Sequence, residues 1–195
     1  MARGIRRNFP AVRGPGYVVL DTETTGLERD ARVIEIAAIF ISPTLVIQDS
    51  FSTLVRGDGT VGNVWAQRAH RISPDELIGA PTFRQLAGPL LDVIEHRVPV
   101  VHNEKFDLAR INYELSSIRR RTVPRFGCTL ALGREVGFGT LKLKDAIRLF
   151  DLRAINSHQA EDDAYAATQL FRLYAKNYRS ALKAHLEARG YELPR

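Results

Sequence analysis

"VVLDTETTGL", residues 18–27, runs from an apolar stretch straight into two carboxylates. Val18, Val19 and Leu20 read as strand interior, and side chains two apart in a strand share a face. Asp21 and Glu23 therefore project together, where two ionised carboxylates raise each other's pKa unless a cation lies between them. Paired oxygen ligands suit a hard cation such as Mg²⁺ or Mn²⁺. The competing reading is a strand end emerging into water with both acids solvated. The pair needs support from elsewhere in the chain.

Outward from this stretch, residues 17–24, 32–41 ("RVIEIAAIFI") and 45–55 ("LVIQDSFSTLV") are rich in β-branched residues and separated by short segments with Gly, Asp or Pro. They predict three consecutive strands in an antiparallel meander. "SPDE" (73–76) carries the capping-box pattern that opens a short helix. After "APT", Phe83, Leu86, Leu90 or Leu91 and Ile94 recur at helical spacing, with Pro89 expected to bend or shorten that helix. "RVPVVH", ending at His102, predicts a fourth strand, and "KFDLARINYELSSI" a helix with Leu108, Ile111, Leu115 and Ile118 on its apolar stripe. Arg119–Arg121 then fall at that helix's C-terminus, where they suit its dipole better than they argue for a nucleic-acid contact. Residues 128–150 mix short helical signals with glycines and predict no firm element. From Gln159 a long helix sets Ala160, Ala164, Ala167, Phe171 and Tyr174 on one side. Strands first, then strand and helix alternating, is an α/β architecture with a mixed sheet.

The 195 residues are enough for one domain with a sizeable core. At 45% hydrophobic and 26% charged, the composition excludes a disordered or fibrous chain. No stretch approaches the ~18 consecutive apolar residues of a membrane span. The basic start lacks the apolar core of a secretory signal and reads as a flexible arm, residues 1–15, bearing Arg3, Arg6, Arg7 and Arg13. A basic tail, residues 179–195, with Arg179 and Lys183 and with Lys176 just before it, closes the chain. The lone Cys128 offers no disulfide framework, which favours a reducing, cytoplasmic setting. A net charge of +6 admits a polyanion as partner without selecting one.

Two more carboxylates sit on the wrong side of helices. Asp107 shares the core-facing stripe with Ile111, Leu115 and Ile118, and a buried carboxylate needs a partner. Asp163 lies one turn before Ala167 and points inward with it. His158, five residues earlier, converges with Asp163 only from the loop before the helix, an arrangement that Ser157 or Asn156 as cap would permit.

In order and spacing, "DTETTG" (21–26), "HNEKFD" (102–107) and "HQAEDD" (158–163) resemble the three motifs of the DnaQ-like (DEDDh) 3′–5′ exonuclease superfamily. The likeness covers roughly residues 17–175, takes in "HRISPDELIGAPTF" (70–83), and is strongest to the proofreading ε subunits of bacterial DNA polymerase III and their stand-alone relatives. It implies a ribonuclease H-like fold, a mixed five-stranded sheet with three antiparallel strands followed by parallel ones, in an exonuclease domain at 16–178. It also implies Asp21, Glu23, Asp107 and Asp163 as an acidic quartet holding two Mg²⁺ or Mn²⁺ ions, with His158 as general base. Thr22, Thr24, Leu27, His102, Asn103 and Phe106 would border the terminal nucleotide. The activity implied is hydrolysis at single-stranded 3′ ends of DNA, in the bacterial cytoplasm or nucleoid, of proofreading or repair type, with a DNA polymerase as possible partner. RNA 3′-end trimming and a non-catalytic nucleic-acid-binding relic are the alternatives. Two positions depart from the family pattern. Cys128-Thr129 stands where many relatives have Asp-Thr, and Glu104 replaces a small residue, adding a negative charge expected near the site or facing solvent. No clamp-binding or polymerase-tethering segment is recognised after the domain, which favours a stand-alone enzyme.

Overall fold

The computed structural model describes residues 9, 10, 12 and 14–195. Strands β1 (Tyr17–Thr24), β2 (Val33–Ile41) and β3 (Ile47–Leu54) form the antiparallel meander. Helix α1 (Val64–His70), a 3-10 turn (Pro74–Leu77) and α2 (Phe83–His96) lead to β4 (Val98–Val101), which pairs parallel with β1. Then come α3 (Glu104–Ser117), β5 (Gly127–Cys128) parallel to β4, α4 (Thr129–Glu135), α5 (Leu143–Leu149), α6 (Ala160–Asn177) and α7 (Arg179–Glu187). The five strands lie in the order β3-β2-β1-β4-β5. Among the described residues no helix is long and apolar enough to cross a membrane.

Both faces of the sheet are covered, so β2 is buried at every position rather than alternating. One face, with Tyr17, Val19, Ala37, Ile39 and Ile41, packs against α6 through Ala160, Ala164, Ala167 and Phe171. The other, with Val18, Leu20, Ile36 and Phe40, packs against Leu86, Leu90 and Ile94 of α2 and Ile111 and Leu115 of α3. The alanine stripe of α6 lets its first turn lie close to β1 and β2. A larger side chain there would push the helix away and take Asp163 with it.

Several elements differ from expectation for identifiable reasons. Pro89 neither ends nor shortens α2, because it and Gly88 lie on the exposed side of the helix, away from the core. Helix α1 carries no apolar periodicity of its own and is made by local bonds, the Asn63 carboxamide oxygen accepting from the Trp65 and Ala66 N–H groups. The stretch 128–150 resolves into two short helices. Residues 179–187 form α7, whose Leu182 and Leu186 join the same core, so the packed unit runs past 178. Of the arm, Phe9 stacks on Phe51 with ring centroids 4.1 Å apart; Arg3, Arg6, Arg7 and Arg13 lie outside the described residues. Helix α3 ends at Ser117, so Arg119–Arg121 lie beyond its last turn rather than in it: Arg119 takes the left-handed conformation, and Arg121 pairs with Glu95 of α2 at 2.8 Å.

Glu104 does not add a free charge beside the site. Its carboxylate accepts from Arg125 Nε at 2.9 Å and the Phe126 N–H at 3.0 Å, and lies 3.5 Å from Arg189 Nε. Burial alone would raise this carboxyl, but those hydrogen bonds and the two arginines hold it below its ordinary value. The knot ties the start of α3 to the entry of β5 and to the segment after α7. Cys128 fills the place of the expected acid: its Sγ accepts from the Ala131 N–H at 3.4 Å, a cap for α4, and from the Glu104 N–H at 3.5 Å. His185 of α7 accepts the Cys128 N–H on Nε2 at 3.0 Å, while its Nδ1 lies 2.8 Å from Glu135. Replacing Glu104 by alanine leaves the buried Phe126 N–H without its acceptor and Arg189 without its carboxylate, and is expected to cost about 2–3 kcal/mol in urea unfolding, with Glu104→Gln losing less.

Candidate active site

Strand β1 delivers Asp21 and Glu23 to the α6 face of the sheet, and a register shift just after Glu23 ends the regular pairing with β2. Directly across from Glu23 is Glu35, buried within β2, whose carboxylate accepts the Ala160 N–H at 3.1 Å. A strand acid thus satisfies the first turn of α6 and fixes where that helix begins. Gln159 occupies the cap position without a side-chain bond of its own.

The loop before α6 is held by the helix's acids rather than capping it. Asn156 Nδ2 donates to Asp163 at 2.6 Å, the Ser157 N–H donates to Asp163 at 3.0 Å, and Ser157 Oγ donates to Asp162 at 2.6 Å. This pinning leaves His158 outside the helix in a left-handed conformation, φ 56°. Ligand atoms of Glu23, His158 and Asp163 consequently lie within 4.8 Å of one another.

Asp107 reaches the same place around the end of the sheet. It projects from the first turn of α3, is buried, and accepts from Thr22 Oγ1 at 2.9 Å. Thr22 faces the opposite side of β1 from Asp21, so its hydroxyl serves an acid rather than the cleft. Thr24 is likewise engaged, donating to the Gly26 carbonyl at 2.8 Å.

Burial first, then the charges of Asp107, Glu23, Asp163 and Glu35, push the Asp21 carboxyl well above the usual range. Burial raises Asp107 to about 7, against the lowering effect of the Thr22 hydroxyl. Burial also raises Asp163, with Asn156, Ser157 and His158 opposing it. Carboxylates that repel one another around one point fit a divalent cation.

These groups line a cleft of about 740 Å³ together with Leu27, Trp65, His102, Asn103, Phe106, Lys142 and Lys144. His102 Nδ1 is 2.8 Å from Thr129 Oγ1, and burial lowers the ring's pKa to about 4, so the imidazole is neutral at neutral pH. Arg110, buried on α3, donates to the Leu27 carbonyl at 2.6 Å and sets its guanidinium 5.1 Å from the centre of the Phe106 ring. It therefore positions two of the apolar groups at the cleft. Sequence reasoning missed Glu35, Arg110 and Trp65. The signal for Glu35 was a lone acid inside "VIEIAAIFI", which is otherwise apolar.

The raised carboxyls give a stability prediction. Above about pH 4 the unfolded chain has lost protons that the metal-free fold still holds, so this contribution to stability falls as pH rises toward 7 and stays lost beyond it. A cation in place of those protons restores it. Chelation is therefore expected to lower Tm more at pH 8 than at pH 6, and Asp107→Asn to flatten that difference, as thermal melts with and without Mn²⁺ would show.

The Exonuclease family matches residues 18–171. The DNA polymerase III subunit epsilon of Treponema pallidum (strain Nichols) is 30% identical over 161 residues, 80% of this chain and 74% of that protein. Among solved structures, a 3′-exonuclease described as recognising the 3′ end of a histone mRNA stem-loop aligns with TM-score 0.71 and 15% identity over 83% of this chain and 82% of its own. Exonuclease X in complex with 5′ overhanging duplex DNA aligns with TM-score 0.60 and 24% identity, over 84% and 93%. The mixed sheet shared with such neighbours is the ribonuclease H-like fold. With the motif acids gathered at one sheet end and the family matched over most of its length, the chain belongs to the DnaQ-like 3′–5′ exonucleases.

Proposed function

We propose that the enzyme removes nucleotides from single-stranded 3′ ends of DNA, using Mg²⁺ or Mn²⁺ and His158 as general base. The observation that carries this reading is the meeting of Glu23, His158 and Asp163 within 4.8 Å at the edge where Asp21 is ringed by carboxylates. In this reading Asp21, Glu23 and Asp163 hold one cation, and Asp21 with Asp107 the other. When bound, such ions neutralise the phosphoryl oxygens, activate water and stabilise the leaving oxygen.

The chain's own residues do the rest. His158, exposed and held clear of the helix, takes the proton of the attacking water as its oxygen bonds to phosphorus. The bond to the upstream 3′ oxygen breaks and a nucleoside 5′-monophosphate leaves. Leu27 and Phe106 flank the terminal base without reading it, which suits removal of any nucleotide. Neutral His102 and exposed Asn103 lie where sugar or phosphate would pass, and Lys142 and Lys144 offer charge to the backbone. Thr22 and Thr24 contribute through their backbone and by holding neighbouring groups.

Preference for DNA rests on the likeness to an epsilon subunit, which also supports a polymerase as partner and a bacterial cytoplasmic setting. Digestion of matched 5′-labelled DNA and RNA oligonucleotides with Mg²⁺, Mn²⁺ or EDTA tests the reading. Shortening of DNA with either metal and none in EDTA is expected; faster shortening of RNA would move the enzyme to RNA trimming, and inertness on both would make it a binding relic. His158→Gln is expected to lower kcat by about 10²- to 10⁴-fold while oligonucleotide binding persists. A kcat within threefold of wild type would remove His158 from the base role.

A further inference from the structure

The cleft has an aromatic group that the catalytic reading leaves unused. Trp65, the chain's single tryptophan, is 76% exposed although it lines the same cleft as Asp21 and Asp163. The Arg68 guanidinium lies 5.4 Å from its ring centroid and covers one face of the indole. With so much of the side chain in water, the other face is open.

The ring sits on a fixed support. Gly62 has φ +86°, and a Cβ there would collide with the Thr25 carbonyl oxygen, so the segment entering α1 rests directly on the loop that follows Glu23. Asn63 caps the helix. At its other end the buried His70 ring accepts the Ile72 N–H on Nδ1 at 2.9 Å and contacts the Val61 carbonyl through Nε2 at 3.0 Å. The first turn of α1, which carries Trp65, is thereby held against the loop that follows Glu23.

The cleft then offers two apolar stations. Leu27 and Phe106, tied together by Arg110, stand beside Asp107 and take the terminal base. Trp65 stands on a separate element with a cation against its back. We propose that Trp65 is the stacking platform for the base of the nucleotide preceding the one removed, with Arg68 facing the adjoining phosphate. This rests on the reading that a single strand enters the cleft 3′ end first. One face of an indole stacks on any base, so the platform would lend hold without sequence preference.

The test compares a single-stranded DNA oligonucleotide with thymidine 5′-(p-nitrophenyl phosphate), in which p-nitrophenolate replaces the whole upstream strand. Trp65→Ala is expected to lower the oligonucleotide-to-ester ratio of kcat/KM about tenfold or more, chiefly through KM, and Trp65→Phe to restore most of it. In EDTA, tryptophan emission should fall as oligonucleotide is added and change far less when the penultimate position is abasic. An unchanged ratio in Trp65→Ala overturns the proposal. So does binding, seen by anisotropy of a 5′-fluorescein label, with unaltered emission. If the wild-type enzyme splits neither substrate with Mg²⁺ or Mn²⁺, the nuclease reading itself fails; if it splits both while Trp65→Ala keeps the ratio, only the platform does.

Discussion

Mutual repulsion among buried carboxylates is the constraint around which this molecule is arranged. Asp21 feels Asp107, Glu23, Asp163 and Glu35 at once, in surroundings that already disfavour its charge. The bonds described for these acids come from neutral donors: the Thr22 hydroxyl, the Asn156 amide, and the Ser157 and Ala160 N–H groups. Such donors orient a carboxylate without cancelling its charge. Guanidinium partners would have made the cluster stable by itself and left little for a cation to do. Where arginines do meet acids here, as Arg125 meets Glu104, Arg32 meets Glu114 of α3 and Arg121 meets Glu95, the result is a fastening between segments.

One strand distributes these duties through its pleat. The odd positions of β1 carry Asp21 and Glu23 toward α6, and the even position Thr22 reaches Asp107 of α3 on the other side. A one-residue slip of β1 would exchange the two sets, burying Glu23 and Asp21 against Ile111 and Leu115. Pairing with β2 on one side and β4 on the other guards against this. The early end of regular pairing after Glu23 matters too, since it releases the chain toward Thr25 and Leu27.

Much of this was legible in the sequence because it rests on period. The alternation in β1, the alanine stripe of α6 and the core stripe of α3 each place an acid on a definite face. Both ends of each of the first three strands came within two residues for the same reason. Features set by long-range bonds were not legible. Nothing local says that Glu35 meets Ala160, 125 positions away, or that Arg110 meets Leu27. The caps proposed for α6 were the right residues in the wrong role, because Asn156 and Ser157 bond to acids inside the helix rather than to its free N–H groups. Helix α1 escaped notice because its seven residues bury only His70.

The two departures from the family pattern show why residue type alone misjudges charge. A glutamate at 104 reads as an anion three residues before Asp107, yet its carboxylate is bonded to Arg125, Phe126 and, more loosely, Arg189, so its field is largely compensated before it reaches the cleft. A cysteine at 128 reads as the loss of an acid, yet the demand there comes from backbone N–H groups at Ala131 and Glu104, which a sulfur can meet, though more weakly than a carboxylate. The acid that is missing at 128 and the acid that is extra at 104 lie against the same junction of α3, β5 and α4. The arginines at 125 and 189 stand beside the acid at 104. The junction therefore keeps its fastening on its own terms, apart from the acids that raise Asp21 in the cleft.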